Sequence, residues 1–202
     1  MTPSPARKRG RPPKDADTSL RRVLIQQSAK LFREQGFERT TVRDIAHAAG
    51  VQAGSWFYHF KSKHEILAAV MREGMADSLA RIQQLDVATL PAKAALRALI
   101  HTHLHTILAP DHDFIPVMLY EWRSLPPAAQ VEIAALQQQY EAVWESVIAR
   151  LQQHGDWPMP TRADRLFLFG SLNWIAQWYR PDGPLSLDDL VDDAMVFFLR
   201  SA

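Results

Sequence analysis

Residues 40 to 63, TTVRDIAHAAGVQAGSWFYHFKSK, leave this chain few folds to choose from. Thr41 stands before Val42, Ile45 and Ala46, whose i, i+3, i+4 spacing is that of a short amphipathic helix. Asp44, three residues after Thr41, completes a capping box that fixes where the helix begins. Gly50 follows its alanine-rich end, where a turning chain needs a left-handed residue. A second short helix is expected from Gln52 to His59. Ala46, Ala48 and Ala49 are small enough for the two helices to cross closely, the geometry of a helix-turn-helix. A helical hairpin with a solvated basic end would share the spacing.

Charge bears on that choice. Residues 1 to 64 hold 13 Lys/Arg against 5 Asp/Glu, net +8, whereas residues 65 to 202 hold 10 against 17, net −7. A basic head on an acidic body implies that only the head meets a polyanion. Lys61 and Lys63 lie just past the second helix beside Tyr58 and His59, and all four are side chains that hold phosphates.

The run LFREQGFERTTVRDIAHAAGV followed by GSWFYHFKSKHEIL, within about Val23 to Leu67, resembles the DNA-binding domain of the tetracycline-repressor (TetR) family of bacterial regulators. The resemblance implies an all-helical homodimer with a small-molecule pocket in its larger domain. It also implies that Ala53, Gly54 and Phe57 look into the major groove; a 100° turn per residue puts these three on one face. The family often has a basic or polar residue at position 53 and usually tyrosine at 57, so any contact needing those groups is in doubt here. The face as it stands suits thymine methyls and close backbone approach. Polar reading then falls to Arg43, which can bond guanine O6 and N7 together, with Gln52 and Ser55 on the flanks. Thr41, Tyr58, His59, Lys61 and Lys63 are expected on phosphates. Trp56 occupies an aliphatic core position of the family, which favours packing.

Taken in order, residues 1 to 17 are Pro-rich and basic, without apolar periodicity, and read as a disordered arm. Its Arg9-Gly10-Arg11-Pro12 resembles the core of an AT-hook, which would follow a narrow minor groove; a nonspecific basic tail is the alternative. Residues 18 to 63 form the three-helix DNA-binding domain, with a first helix from Ser19 to Gln35 stopped by Gly36. Residues 64 to 202 form a helical effector-binding and dimerisation domain. Its first helix starts near Ser62, and prolines separate further helical patterns near 91–108, 113–124, 127–154, 161–179 and 186–200. No alternating run suggests a strand, so the fold class is all-α.

The 161–179 pattern is apolar on nearly every side, and such a helix needs a core on one face and a second subunit on the other. With the last helix it is expected to form the dimer interface, through Phe167, Ser171, Leu172, Ile175, Leu190, Ala194, Phe197 and Phe198. The aspartates of the last helix suit its dipole and its solvated face better than a metal. For the pocket, His105, Met118, Trp122, Trp144, Trp174 and Trp178 are the candidates, since aromatics and methionine line adaptable apolar cavities. The segment Asn173 to Gly183 resembles that of family members responsive to acyl-coenzyme A or similar lipid-derived effectors, and Arg123 and Arg180 are candidates for an effector's acidic group.

The expectation is a repressor released from a palindromic operator by an apolar effector. The alternatives are a dimer that senses nothing and a metal-responsive regulator using His101 and His105, which lie four apart near Asp111, His112 and Asp113. No cofactor, metal or catalytic residue is assigned, because no phosphate loop, nucleophile elbow or paired-carboxylate motif is present. Without cysteines there are no disulfides, and without a long apolar run or a signal peptide a cytoplasmic protein is the default.

Overall fold

The computed structural model describes residues 14–109, 113–157 and 163–199. Nine α-helices and one short 3₁₀ turn make up the described chain, with no strand among the described residues. Residues 1 to 13 of the expected arm, Arg9 and Arg11 included, lie outside them, as do Asp111 and His112.

Helix α1, Lys14–Gln35, buries Leu24, Ile25, Ala29 and Phe32 on one stripe. It starts earlier than Ser19 and takes in part of the expected arm. The expectation relied on the first apolar residue, whereas a helix extends past its apolar stripe as long as its backbone bonds continue. Gly36, at φ +83°, ends it and donates to Phe32 O. Thr40, fully buried, then closes the loop by donating to Gly36 O at 2.8 Å.

Helix α2, Val42–Ala48, carries the capping box in full: Thr41 Oγ1 accepts from Asp44 N–H, and Asp44 Oδ2 accepts from Thr41 N–H. A cap of this kind contributes about 1 kcal/mol. Gly50 sits at φ +70° and makes the turn. Helix α3 spans only Ala53–Trp56, shorter than the run to His59. Beyond it the backbone tightens, with Tyr58 and His59 N–H donating three residues back to Ser55 O and Trp56 O. Trp56 is wholly buried and meets Phe60 at 5.5 Å, so it does pack.

Helix α4, Lys63–Gln83, begins at Ser62, whose side chain accepts from Glu65 N–H. Ile66 to Met71 are buried without interruption, because here the helix passes from the head into the body and has neighbours all round. Its later turns bury only Met75, Ser78, Leu79 and Ile82. The body adds α5 (Ala92–Leu108), α6 (Phe114–Glu121) running into the 3₁₀ turn Trp122–Ser124, α7 (Pro127–Gln153), α8 (Asp164–Trp178) and α9 (Leu187–Phe198). Helix α5 packs on α4, α7, α8 and α9, and α6 packs on both α1 and α4. At the α4–α6 crossing Phe114 lies flat against Gly74, where an added Cβ would come within 2.2 Å of its ring. No described helix is long and apolar enough to cross a membrane.

Candidate DNA-recognition surface and effector cavity

The head leaves Arg43, Gln52, Ala53, Gly54, Phe57, Tyr58 and Lys61 exposed, with Ser55 and His59 half-buried. Phe57 is 65% and Tyr58 89% exposed, so these large rings take no part in the protomer's packing. Gly54 has an ordinary negative φ and nothing within 4 Å of where a Cβ would stand. Glycine in a helix costs about 1 kcal/mol relative to alanine, and nothing within the protomer requires it here.

Two expected phosphate ligands are already engaged. Thr41 donates its hydroxyl proton to Asp44 Oδ2 at 2.7 Å, and its N–H goes to the same oxygen at 2.8 Å. These bonds hold the Asp44 carboxyl below its ordinary pKa. Lys63 turns inward: Nζ donates to Phe37 O at 2.6 Å and Glu38 O at 3.2 Å, and lies 4.2 Å from the centre of the Phe37 ring. Sequence spacing could not show this, since it depends on where a loop 26 residues away is folded.

In the body, a cavity of about 260 Å³ lies among α4, α5, α6, α7 and α8. Met75 and Ser78 line it from α4, Met118 and Leu119 from α6, and Phe169 and Asn173 from α8. His103 and Tyr140 complete a polar wall: His103 Nδ1 is 2.9 Å from the Tyr140 hydroxyl and Nε2 is 3.1 Å from Asn173 Oδ1. Trp144 and Phe169 pack edge-on and tilted against the imidazole at 5.7 Å each. Burial lowers the His103 pKa to about 4, opposed by its bond to Asn173, and raises that of Tyr140.

Of the expected pocket residues, Met118 alone lines this cavity. Trp144 is fully buried behind it, supporting the His103 ring. His105 is exposed and lines a separate open groove of about 710 Å³ with Arg33, Tyr120 and Tyr179. Trp122 lines a third, shallow groove with Arg123. Trp174 and Trp178 are 62% and 47% exposed and face away from the core. The expectation failed because α8 is apolar on two sides, and composition cannot say which side faces inward. Leu168, Leu172 and Ile175 take the core. His103 was missed although its signal was present: it falls in the stripe Leu96, Leu99, Ile100, His103, Ile107, all buried on α5.

The expected interface divides likewise. Leu172, Ile175, Leu190 and Ala194 are buried within the protomer, and Phe198 is half-buried, stacked on Trp157 at 6.3 Å. Phe167, Ser171, Trp174 and Trp178 on α8 and Val196 and Phe197 on α9 are exposed. Arg97 of α5 pairs with Asp192 and lies 3.7 Å from Asp188, which accounts for two aspartates of α9. Asp113 pairs with Arg33 at 2.6 Å, and no cluster of three or more metal-ligating side chains occurs among the described residues.

A capped helix-turn-helix head, joined by one continuous helix to a helical body with a cavity, defines a DNA-binding transcription regulator. The chain belongs to the tetR family of bacterial regulatory proteins: the model of that name matches residues 24–70, and the tetracyclin repressor-like C-terminal domain model matches residues 89–202. The HTH-type transcriptional repressor KstR2 of Rhodococcus jostii is 30% identical over 88% of this chain and 90% of its own. The structure of PfiT, described as a superantigen, is 39% identical, covers 91% of this chain and 98% of its own, and superposes with a TM-score of 0.72. The ketosteroid transcriptional regulator KstR2 of Mycobacterium tuberculosis is 25% identical over 89% and 92% of the two chains, with a TM-score of 0.77.

Proposed function

We propose that the protein is a homodimeric repressor, released from a two-fold symmetric operator when an apolar effector of the acyl-thioester or other lipid-derived class fills the 260 Å³ cavity. The observation that carries this reading is the position of α4. Met75 and Ser78 of α4 line the cavity, while its first residue, Lys63, holds the loop that precedes the recognition unit. An effector that fits better when α4 is displaced therefore favours an arrangement of heads that does not fit DNA. The repressor and ketosteroid descriptions of the KstR2 relatives are in keeping with it.

In this reading the exposed aromatic face of α8 and α9 meets its copy across a two-fold axis, which presents paired recognition helices about one helical turn of DNA apart. Arg43 reads a guanine, the Ala53–Gly54–Phe57 face meets thymine methyls, and Lys61, Tyr58 and His59 meet phosphates, with Gln52 and Ser55 flanking. Lys63 and Thr41 act from behind, holding the unit in shape.

The test is release of a fluorescent operator, followed by anisotropy during titration with fatty acyl-coenzyme A thioesters, fatty esters, free fatty acids and keto-steroids. A coupling of about 1–3 kcal/mol would lower operator affinity roughly 5- to 150-fold. Release by none of them, with an empty cavity by native mass spectrometry, would leave a DNA-binding dimer that senses nothing.

A further inference from the structure

The polar wall of the cavity has a fixed polarity, set by one imidazole. His103 Nε2 faces the side-chain oxygen of Asn173, which only accepts, so Nε2 carries the proton and donates it. A neutral imidazole has a single N–H; Nδ1 is therefore an acceptor, and the Tyr140 hydroxyl donates to it. Tyr140 is left with oxygen lone pairs to offer a ligand, and Asn173 with its amide N–H groups. The other hydroxyls point the same way: Ser78 gives its proton to Gly74 O and Thr106 to Thr102 O, so both offer acceptors.

Charge sharpens the selection. Neither lysine nor arginine lines the cavity among the described residues. Its carboxylate, Glu141, is held by Arg165 and by the Gln137 amide, which donates to it at 2.8 Å. A ligand carboxylate entering here loses its water and meets several lone pairs and the amides of Asn173 and Gln137, the latter already donating to Glu141, with no lysine or arginine in the lining to replace the solvent. A neutral carbonyl needs only the Asn173 amide, and a ligand hydroxyl gives its proton to Tyr140.

We infer that the cavity selects an uncharged moiety, an apolar chain or ring system bearing a carbonyl for Asn173 and a hydroxyl for Tyr140, and rejects the matching free carboxylate. The inference rests on the sensor reading and adds the effector's polar chemistry to it. Esters, ketones and thioesters share that chemistry. A thioester of coenzyme A would leave its nucleotide part outside, in the open groove that shares Ile107 with the cavity.

The experiment is calorimetric titration of the full-length protein with four ligands of one medium chain length: the free acid, its methyl ester, the β-hydroxy methyl ester and the coenzyme A thioester. The acid is expected to bind at least about tenfold more weakly than the ester. The β-hydroxy ester should bind about fivefold more tightly than the plain ester. Tyr140→Phe should erase the hydroxyl preference, and Asn173→Leu should weaken every carbonyl ligand. A thioester tighter than the methyl ester assigns the carbonyl to a coenzyme-borne acyl group, and the reverse order assigns it to a free ester or ketone; both outcomes uphold the inference. Binding of the acid equal to or tighter than the ester overturns it while leaving the sensor intact. Binding by none of the four overturns it too, and operator release by another compound would then show the sensor reading still standing. Should a variant not fold, the acid–ester and hydroxyl comparisons on the unaltered protein decide alone.

Discussion

The Glu121 carboxylate accepts a hydrogen bond from the Phe37 backbone N–H at 2.9 Å, across 84 residues of sequence. The carbonyl of the same Phe37 receives Lys63 Nζ. One residue of the loop between α1 and α2 is thus held on its N–H by α6 and on its C=O by α4. Both helices also wall the cavity, through Met118 and Leu119 on one side and Met75 and Ser78 on the other.

Glu121→Ala should therefore weaken communication more than either binding event. Losing the acceptor at a part-buried N–H costs about 1–3 kcal/mol of local stability. Effector affinity should stay within about twofold, because Glu121 is not a lining residue, while the effector-induced drop in operator affinity shrinks. Calorimetry with the effector, paired with anisotropy on the operator, measures both. An unchanged drop in operator affinity would show that Phe37 is held for stability alone.

Gly54→Ala separates folding from recognition. Its Cβ would enter open space, so the free protein should gain up to about 1 kcal/mol from helix propensity. On the operator the added methyl meets whatever approaches this face. A raised melting temperature with weaker operator binding supports close backbone approach. Equal or tighter binding would remove Gly54 from the DNA contact.

The face formed by Phe167, Trp174, Trp178, Val196 and Phe197 should be covered in solution. An exposed apolar patch of this kind is a partner surface. Trp174→Glu with Phe197→Glu should convert a dimer into monomers in sedimentation at micromolar concentration without loss of helical signal, since neither side chain is part of the protomer core. A dimer that survives both charges would require another interface.

His103 gives the stability of the body a definite pH dependence. Its pKa is about 4 when folded against the ordinary 6.5 when unfolded, so the unfolded chain binds the proton more readily. Stability is then complete above about 6.5, falls as pH drops towards 4, and is level below that. The loss is roughly 3 kcal/mol. His103→Gln should flatten that part of the curve of melting temperature against pH, although other groups still contribute. An unchanged slope would mean that His103 takes up its proton as readily in the fold as in the unfolded chain.

What was legible in the sequence was local. Thr41 with Asp44, and Gly36 and Gly50 at positive φ, announce their helix ends within three or four residues, and all form as expected. The face of α8 was not legible, because both of its sides are apolar and only the position of α5 decides which is inside. Lys63 shows the same limit for a cation. Its neighbours in sequence suggest a phosphate, but its Nζ donates to the Phe37 and Glu38 carbonyls of a distant loop. His103 lay between these cases, readable from its stripe on α5 but outweighed by the showier pair His101 and His105, whose rings stack at 6.2 Å near the surface.

The uninterrupted run of α4 turns a small disturbance into a usable displacement. Lys63 lies about 22 Å along the axis from Ser78 at 1.5 Å per residue. A tilt of about 5° pivoting at Ser78 swings that end by about 2 Å, enough to break a hydrogen bond. Gly74 lies between the two points, but the helix runs on through it and Phe114 is packed against it. In the proposed release, the unbroken backbone serves as a lever with one end at the cavity and the other at the DNA-reading unit.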